Sequence, residues 1–131
     1  MRVLIVESSR DLSTVWGRHL ERRGAEVSLA HDADRAIDLI RQEDFDVLVV
    51  NLVLEEGSAL AVSDFVEYRC PGTSVIFVTD TTFFSDGSIF SMSPNARALV
   101  RSGTRPEDIA AMVEHYATHA VARPVTTAQG R

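Results

Sequence analysis

The 131-residue sequence predicts a doubly wound α/β domain, a (βα)5 sandwich with a five-stranded parallel sheet covered by helices on both faces. Three observations carry the prediction. Short β-branched runs recur along the chain. Longer stretches with helical apolar spacing separate them. The strand runs are continuously apolar rather than alternating, as a parallel strand buried on both faces requires.

The first strand is residues 3–6 (Val-Leu-Ile-Val), followed by a short one at residues 27–29 (Val-Ser-Leu), more polar and so nearer an edge. Residues 46–50 (Asp-Val-Leu-Val-Val) and 75–78 (Val-Ile-Phe-Val) give two more buried strands, and residues 98–100 (Ala-Leu-Val) the last and weakest. In the first helix Leu12, Val15, Trp16, His19 and Leu20 form one apolar stripe, and Gly24 ends it as C′. Trp16 reads as core and His19 as a packed or edge histidine, because no second ligand stands at metal spacing from it. Ala33, Ala36, Ile37 and Ile40 form the second stripe, with Asp32 or Asp34 at its start. The third helix runs from about residue 59 to 68, with Leu60, Phe65 and Val66 inward. The last has Thr104 as cap, Pro106 in the first turn and Glu107 completing a T-x-x-E capping box. Its Ile109, Met112, Val113 and Tyr116 face the sheet.

The fourth crossover is unusual. Ser85, Gly87, Ser88, Ser91, Ser93 and Pro94 are poor helix formers, yet Phe83, Phe84, Ile89, Phe90 and Met92 add apolar content. A short or distorted helix is expected over residues 86–92. Residues 1–117 read as one domain, and the tail from 118 to 131, lacking an apolar stripe, as disordered.

Composition narrows the class. An apolar fraction of 45% and a charged fraction of 24% are those of a soluble globular domain. No apolar run reaches a membrane span, and the N-terminus lacks a signal peptide's apolar region, so a cytoplasmic location is expected. A net charge of −6 opposes a nucleic-acid binder. Arg18, Arg22 and Arg23 suit the carboxyl end of the first helix. The lone Cys70 excludes an internal disulfide. Phosphate-binding loops, Walker patterns and nucleophile elbows are missing, so an enzyme is not expected.

In an open parallel sheet, function sits beyond the carboxyl ends of the strands. The residues there are Glu7 and Ser8, Asn51, Thr79 and Arg101. Together with the runs that precede them and the Leu-Val-Leu-Glu-Glu-Gly57-Ser segment after Asn51, they resemble the receiver domain of two-component response regulators. The resemblance covers about residues 2–117 and implies a flavodoxin-like, CheY-like strand order of 2-1-3-4-5.

The same resemblance implies an acidic pair after strand 1, a phosphoacceptor Asp after strand 3, a Thr or Ser after strand 4 and a Lys after strand 5. Here Thr79 is conventional and Glu7 keeps one acid. Ser8 replaces the second acid, Asn51 the acceptor and Arg101 the lysine. Ser102 and Glu55 stand where prolines are usual, and Ala98 holds the place of the aromatic switch residue. The chain therefore reads as an atypical, pseudo-receiver type. Its amide is a poor nucleophile, and a site with one carboxylate should bind Mg²⁺ weakly or not at all, with Glu7, Asn51 and the Val53 backbone as the weak candidate ligands. The planar fork of Arg101 suits a carboxylate, so it is expected to bridge to Glu7, with Asn51 bonded to either. Asp80 is the one substitute acceptor to consider, its side chain pointing away from that of Thr79.

The expected function is phosphorylation-independent protein–protein interaction in, or derived from, two-component signalling. No cofactor is called for. The partner would be a histidine kinase, a regulator or a second copy in a homodimer, bound through the fourth helix, fifth strand and fifth helix. The alternative is a phosphotransfer receiver with an altered acceptor.

Overall fold

A computed structural model of the chain describes residues 1–80 and 93–118. Five strands alternate with four described helices: β1 (Arg2–Val6), α1 (Arg10–Glu21), β2 (Glu26–Ala30), α2 (Ala33–Gln42), β3 (Val47–Asn51), α3 (Ala59–Arg69), β4 (Ser74–Thr79), β5 (Ala96–Arg101) and α4 (Pro106–Thr118). All strand pairs are parallel, and the order is β2-β1-β3-β4-β5, as the sequence predicts. The distorted helix expected over residues 86–92 and the disorder expected of the tail lie outside the described residues, save for Thr118, the last residue of α4.

Continuous apolar strands divide between two cores by simple alternation. Leu4, Val6, Leu48, Val50, Val75 and Phe77 pack with α2 and α3, through Ala36, Ile40, Val62 and Val66. Val3, Ile5, Val47, Val49, Ile76 and Val78 pack with α1 and α4, through Trp16, Leu20, Ile109 and Val113. Strands β1, β3 and β4 are buried along almost their whole length, whereas β2 is partly exposed at the edge.

The helix ends are set by local chemistry. The Ser9, Asp32 and Ser58 side chains each accept the backbone N–H three residues on, at 3.2, 2.8 and 3.3 Å, and so cap α1, α2 and α3. Asp32 rather than Asp34 is thus the cap of α2. The expected Thr104–Glu107 box is not among the described hydrogen bonds. With Pro106 as the first helical residue, the N-cap position falls on Arg105, whose carbonyl takes the Ile109 N–H at 3.1 Å. The Arg105 guanidinium instead grips Asp108 with two hydrogen bonds, at 3.0 and 3.2 Å.

Two further expectations change. Val15 is 40% exposed, because α1 buries a narrow stripe of Trp16, Gly17 and Leu20 and leaves Val15 on its flank. Gly24 adopts a left-handed φ of 89°, as a helix-terminating glycine should, but lies two residues beyond the Arg22 cap rather than one. Trp16 is core as expected, at 1% exposure.

Candidate functional site

Strand register builds the site. Val6 lies beside both Ala30 and Val50, so the next residue along β1, Glu7, falls level with the end of β3. Asn51 is the last residue of β3 and pairs with Val78, while Thr79 pairs with Arg101. Glu7 and Asn51 continue the parity of Ile5 and Val49, so their side chains meet on one face.

The meeting is a direct hydrogen bond. Asn51 Nδ2 donates to Glu7 Oε1 at 2.7 Å, and the Ser9 backbone N–H donates to Glu7 Oε2 at 2.9 Å. The Glu7 side chain is therefore held at both oxygens by uncharged donors, in a residue only 3% exposed. Asn51 Oδ1 faces the other way and accepts the Val53 N–H at 2.9 Å, which folds the start of the β3–α3 loop over the strand end. The Leu52 N–H is bound to the Val78 carbonyl at 2.8 Å, so the backbone on either side of the amide is anchored.

Ser8 has a separate structural task. Its hydroxyl donates to the His31 carbonyl at 3.4 Å and accepts the Glu55 N–H at 2.9 Å, linking the β2–α2 and β3–α3 loops. His31 Nδ1 lies 3.0 Å from the Glu7 carbonyl and must carry the proton there, since a carbonyl can only accept. The Ala33 N–H reaches the Glu56 carbonyl at 3.3 Å. Gly57, at φ 87°, lies against Ala33 so closely that a Cβ would collide with the alanine methyl. Three loops are thereby sewn together at the carboxyl edge.

Arg101 does not join this network. It is exposed at the end of β5, and among the described ion pairs none joins it to Glu7. The expected bridge fails for a physical reason: Glu7 is buried and already carries a donor on each oxygen, and drawing the exposed Arg101 guanidinium into that position would cost it its hydration. Thr79 is 2% exposed, and its carbonyl accepts the Ser102 N–H at 2.9 Å. Asp80, immediately after it, is exposed. Ala98 sits in the α1/α4 core at 9% exposure, opposite Ile76. Val53, whose backbone was a weak ligand candidate, is 60% exposed and uses its N–H on Asn51. Among the described residues no group of three or more His, Cys, Asp and Glu side chains is gathered as a metal would need, and His19 belongs to none. Cys70 caps α3 and donates its thiol to Asp44 Oδ1 at 3.3 Å.

The family model for the response regulator receiver domain matches residues 3–121, nearly the whole chain. The chain belongs to that family. Solved receivers share its fold. A CheY-like receiver domain protein from Methanospirillum hungatei JF-1 superposes with a TM-score of 0.80 at 23% identity, covering 89% of this chain and 93% of that one. A response regulator from Burkholderia pseudomallei, with a phosphorylated aspartic acid, a calcium ion and citrate, gives 0.75 at 23% identity, covering 89% and 68%. The beryllofluoride-activated NtrC4 receiver domain dimer gives 0.79 at 19% identity, covering 89% and 96%. No curated protein matches the chain significantly. Helices long and apolar enough to cross a membrane are absent among the described residues.

The residues named from sequence do gather at the carboxyl edge of the receiver, but the contacts were partly missed. Ser9 was not singled out, although a Ser three residues ahead of Leu12 is a recognisable cap. His31 gave no signal of its own, and Gly57 stood only within the segment that carries the resemblance; their contacts exist only once the loops are brought together.

Proposed function

We propose that this receiver works as a protein-interaction module in two-component signalling without aspartyl-phosphate chemistry at its carboxyl edge. The observation that supports this reading most strongly is the Asn51–Glu7 hydrogen bond of 2.7 Å at the end of β3. The resemblance puts Asn51 at the phosphoacceptor position, and there a neutral amide offers no anionic oxygen to a phosphoryl group. The donor set also fits Mg²⁺ poorly. Both Glu7 carboxylate oxygens, the Asn51 Oδ1 and the Ser8 Oγ already accept protein N–H groups. A cation would share these oxygens with their donors and would find a single carboxylate, so no step is routed through a metal.

Partner recognition then falls to the surface. The family resemblance favours β5, α4 and the crossover before β5; Tyr116 Oη donates to the Arg97 carbonyl at 3.2 Å and ties two of these elements into one unit. A kinase, a regulator or a second copy are the partners such a face serves, and the NtrC4 neighbour is itself a receiver dimer. Ala98 in place of a ring removes the side chain through which Thr79 would signal to that face.

The test is a heteronuclear NMR titration of the chain with Mg²⁺ and a small acyl phosphate. The expected result is an unchanged spectrum around Glu7, Asn51 and Thr79. Saturable shifts there with an affinity tighter than about 1 mM would overturn the reading.

A further inference from the structure

Away from the carboxyl edge, the outer face of α2 and α3 carries an aromatic and arginine patch. Tyr68 is 85% exposed, the most exposed large apolar side chain among the described residues. It stands one turn beyond Phe65, with ring centroids 6.4 Å apart at 41°. The Arg41 guanidinium lies over the Phe65 ring, 5.5 Å from its centroid. Arg69, the next position on the same side of α3, donates from Nε to the Ile40 carbonyl at 3.0 Å and from Nη2 to the Arg41 carbonyl at 2.9 Å.

Of these side chains, Arg69 is held before any partner arrives, by its two carbonyl contacts. Arg69 satisfies carbonyls in the last turn of α2 and so has a structural task, yet only two of its five N–H bonds are used in it. Among the described residues it forms no ion pair, and Arg41 has only an open contact of 3.4 Å with Asp38, both side chains more than half exposed. Two guanidiniums thus remain available to an anion beside an uncovered tyrosine. Tyr and Arg are the side-chain types that dominate interface energies, and the held Arg69 loses little entropy on binding. Asp64, one turn before Tyr68 on α3, gives the patch a negative end and hence a polarity along the helix.

We infer that the α2–α3 face is a second docking surface, fitted to a protein segment that presents carboxylates next to an apolar side chain. The carboxylates meet Arg41 and Arg69, and the apolar group covers Tyr68. This surface is independent of the Asn51–Glu7 network and of the β5–α4 face.

The test uses the full chain and a short peptide of glutamate and leucine, with its lysine–leucine counterpart as control, followed by NMR. The glutamate peptide should shift resonances at residues 38–41 and 65–69, and salt should weaken it. The double variant R41Q/Y68A, both changes on exposed side chains, should weaken binding at least about tenfold while the shifts elsewhere stay native. No shifts, shifts centred on another face, equal binding of the lysine peptide, or undiminished binding by the variant would each overturn the inference. So would sedimentation showing a dimer that Y68A alone abolishes, because the occupant would then be a second copy.

Discussion

Asn51→Asp places a carboxylate at the end of β3 and reverses the chemistry of the 2.7 Å contact with Glu7. A donating Nδ2 becomes an oxygen, so two carboxylates face each other in a residue pair of which Glu7 is only 3% exposed. With both ionised, the repulsion is about 4 kcal/mol at 4 Å and an effective dielectric of about 20. The lost hydrogen bond to a charged group adds about 1.5–3 kcal/mol, though the variant avoids part of this sum by keeping a proton between the two acids. That proton sets the pH dependence. The shared carboxyl has a folded pKa raised above its unfolded value of about 4, the folded state binds more protons, and stability falls as pH rises from about 4 through the raised value. A divalent cation at the resulting pair should offset the repulsion, by about 2.7 kcal/mol at a hundred times its dissociation constant. The assay is urea unfolding of both proteins, in acid and at about pH 8, with and without about 10 mM Mg²⁺. The variant should lose about 2–4 kcal/mol relative to the parent at the higher pH and regain much of it with Mg²⁺. Equal stability of variant and parent at high pH without the ion would refute the reasoning, as would Mg²⁺ stabilisation of the parent.

Other consequences can be checked separately. Gly57→Ala forces a Cβ into Ala33 at a φ of 87°, whereas Gly24→Ala at φ 89° meets nothing within 4 Å. Chemical denaturation should therefore show a loss of about 2–4 kcal/mol for the first and about 1 kcal/mol for the second. Arg101→Ala should change stability by less than about 0.5 kcal/mol in the same assay, since no described ion pair holds that side chain. Asp108 has its pKa lowered by the hydrogen bond from Arg105, and Arg105 is raised by the same contact. Its folded form is favoured above the ordinary carboxylate range, and that preference is lost as pH falls through the lowered value. An NMR titration should find Asp108 titrating below ordinary aspartates, and R105Q should return it to the usual range.

The fold was legible because burial on both sheet faces leaves a plain mark. The runs at residues 3–6, 46–50 and 75–78 admit few placements other than central parallel strands. The weaker runs at 27–29 and 98–100 became the two edges, β2 and β5, where less burial is required. Helix interiors were read better than helix boundaries. Thr104 satisfied a sequence pattern for capping, but the Arg105–Asp108 contact and Pro106 set the actual start of α4. Val15 matched the helical spacing, but the stripe α1 buries is narrower than that spacing allows.

At the site, sequence position indicated which residues would assemble, because strand ends converge in this topology. It could not assign their bonds. Glu7 chose Asn51 and the Ser9 N–H over Arg101 because the register brings the amide to 2.7 Å while Arg101 stays in solvent. Ser8, read only as a missing acid, proved to be the bolt between two loops, a role that depends on where Glu55 and His31 arrive in space.

The proposed function requires that the carboxyl edge of this receiver, held by its own hydrogen bonds, take no phosphoryl group. Intact-mass spectrometry after incubation with Mg²⁺ and a small acyl phosphate tests it most directly, with the Asn51→Asp variant run alongside. The mass of the parent chain should be unchanged. A mass increase of one phosphoryl group on the parent, lost on treatment with hydroxylamine as an acyl phosphate would be, would contradict it.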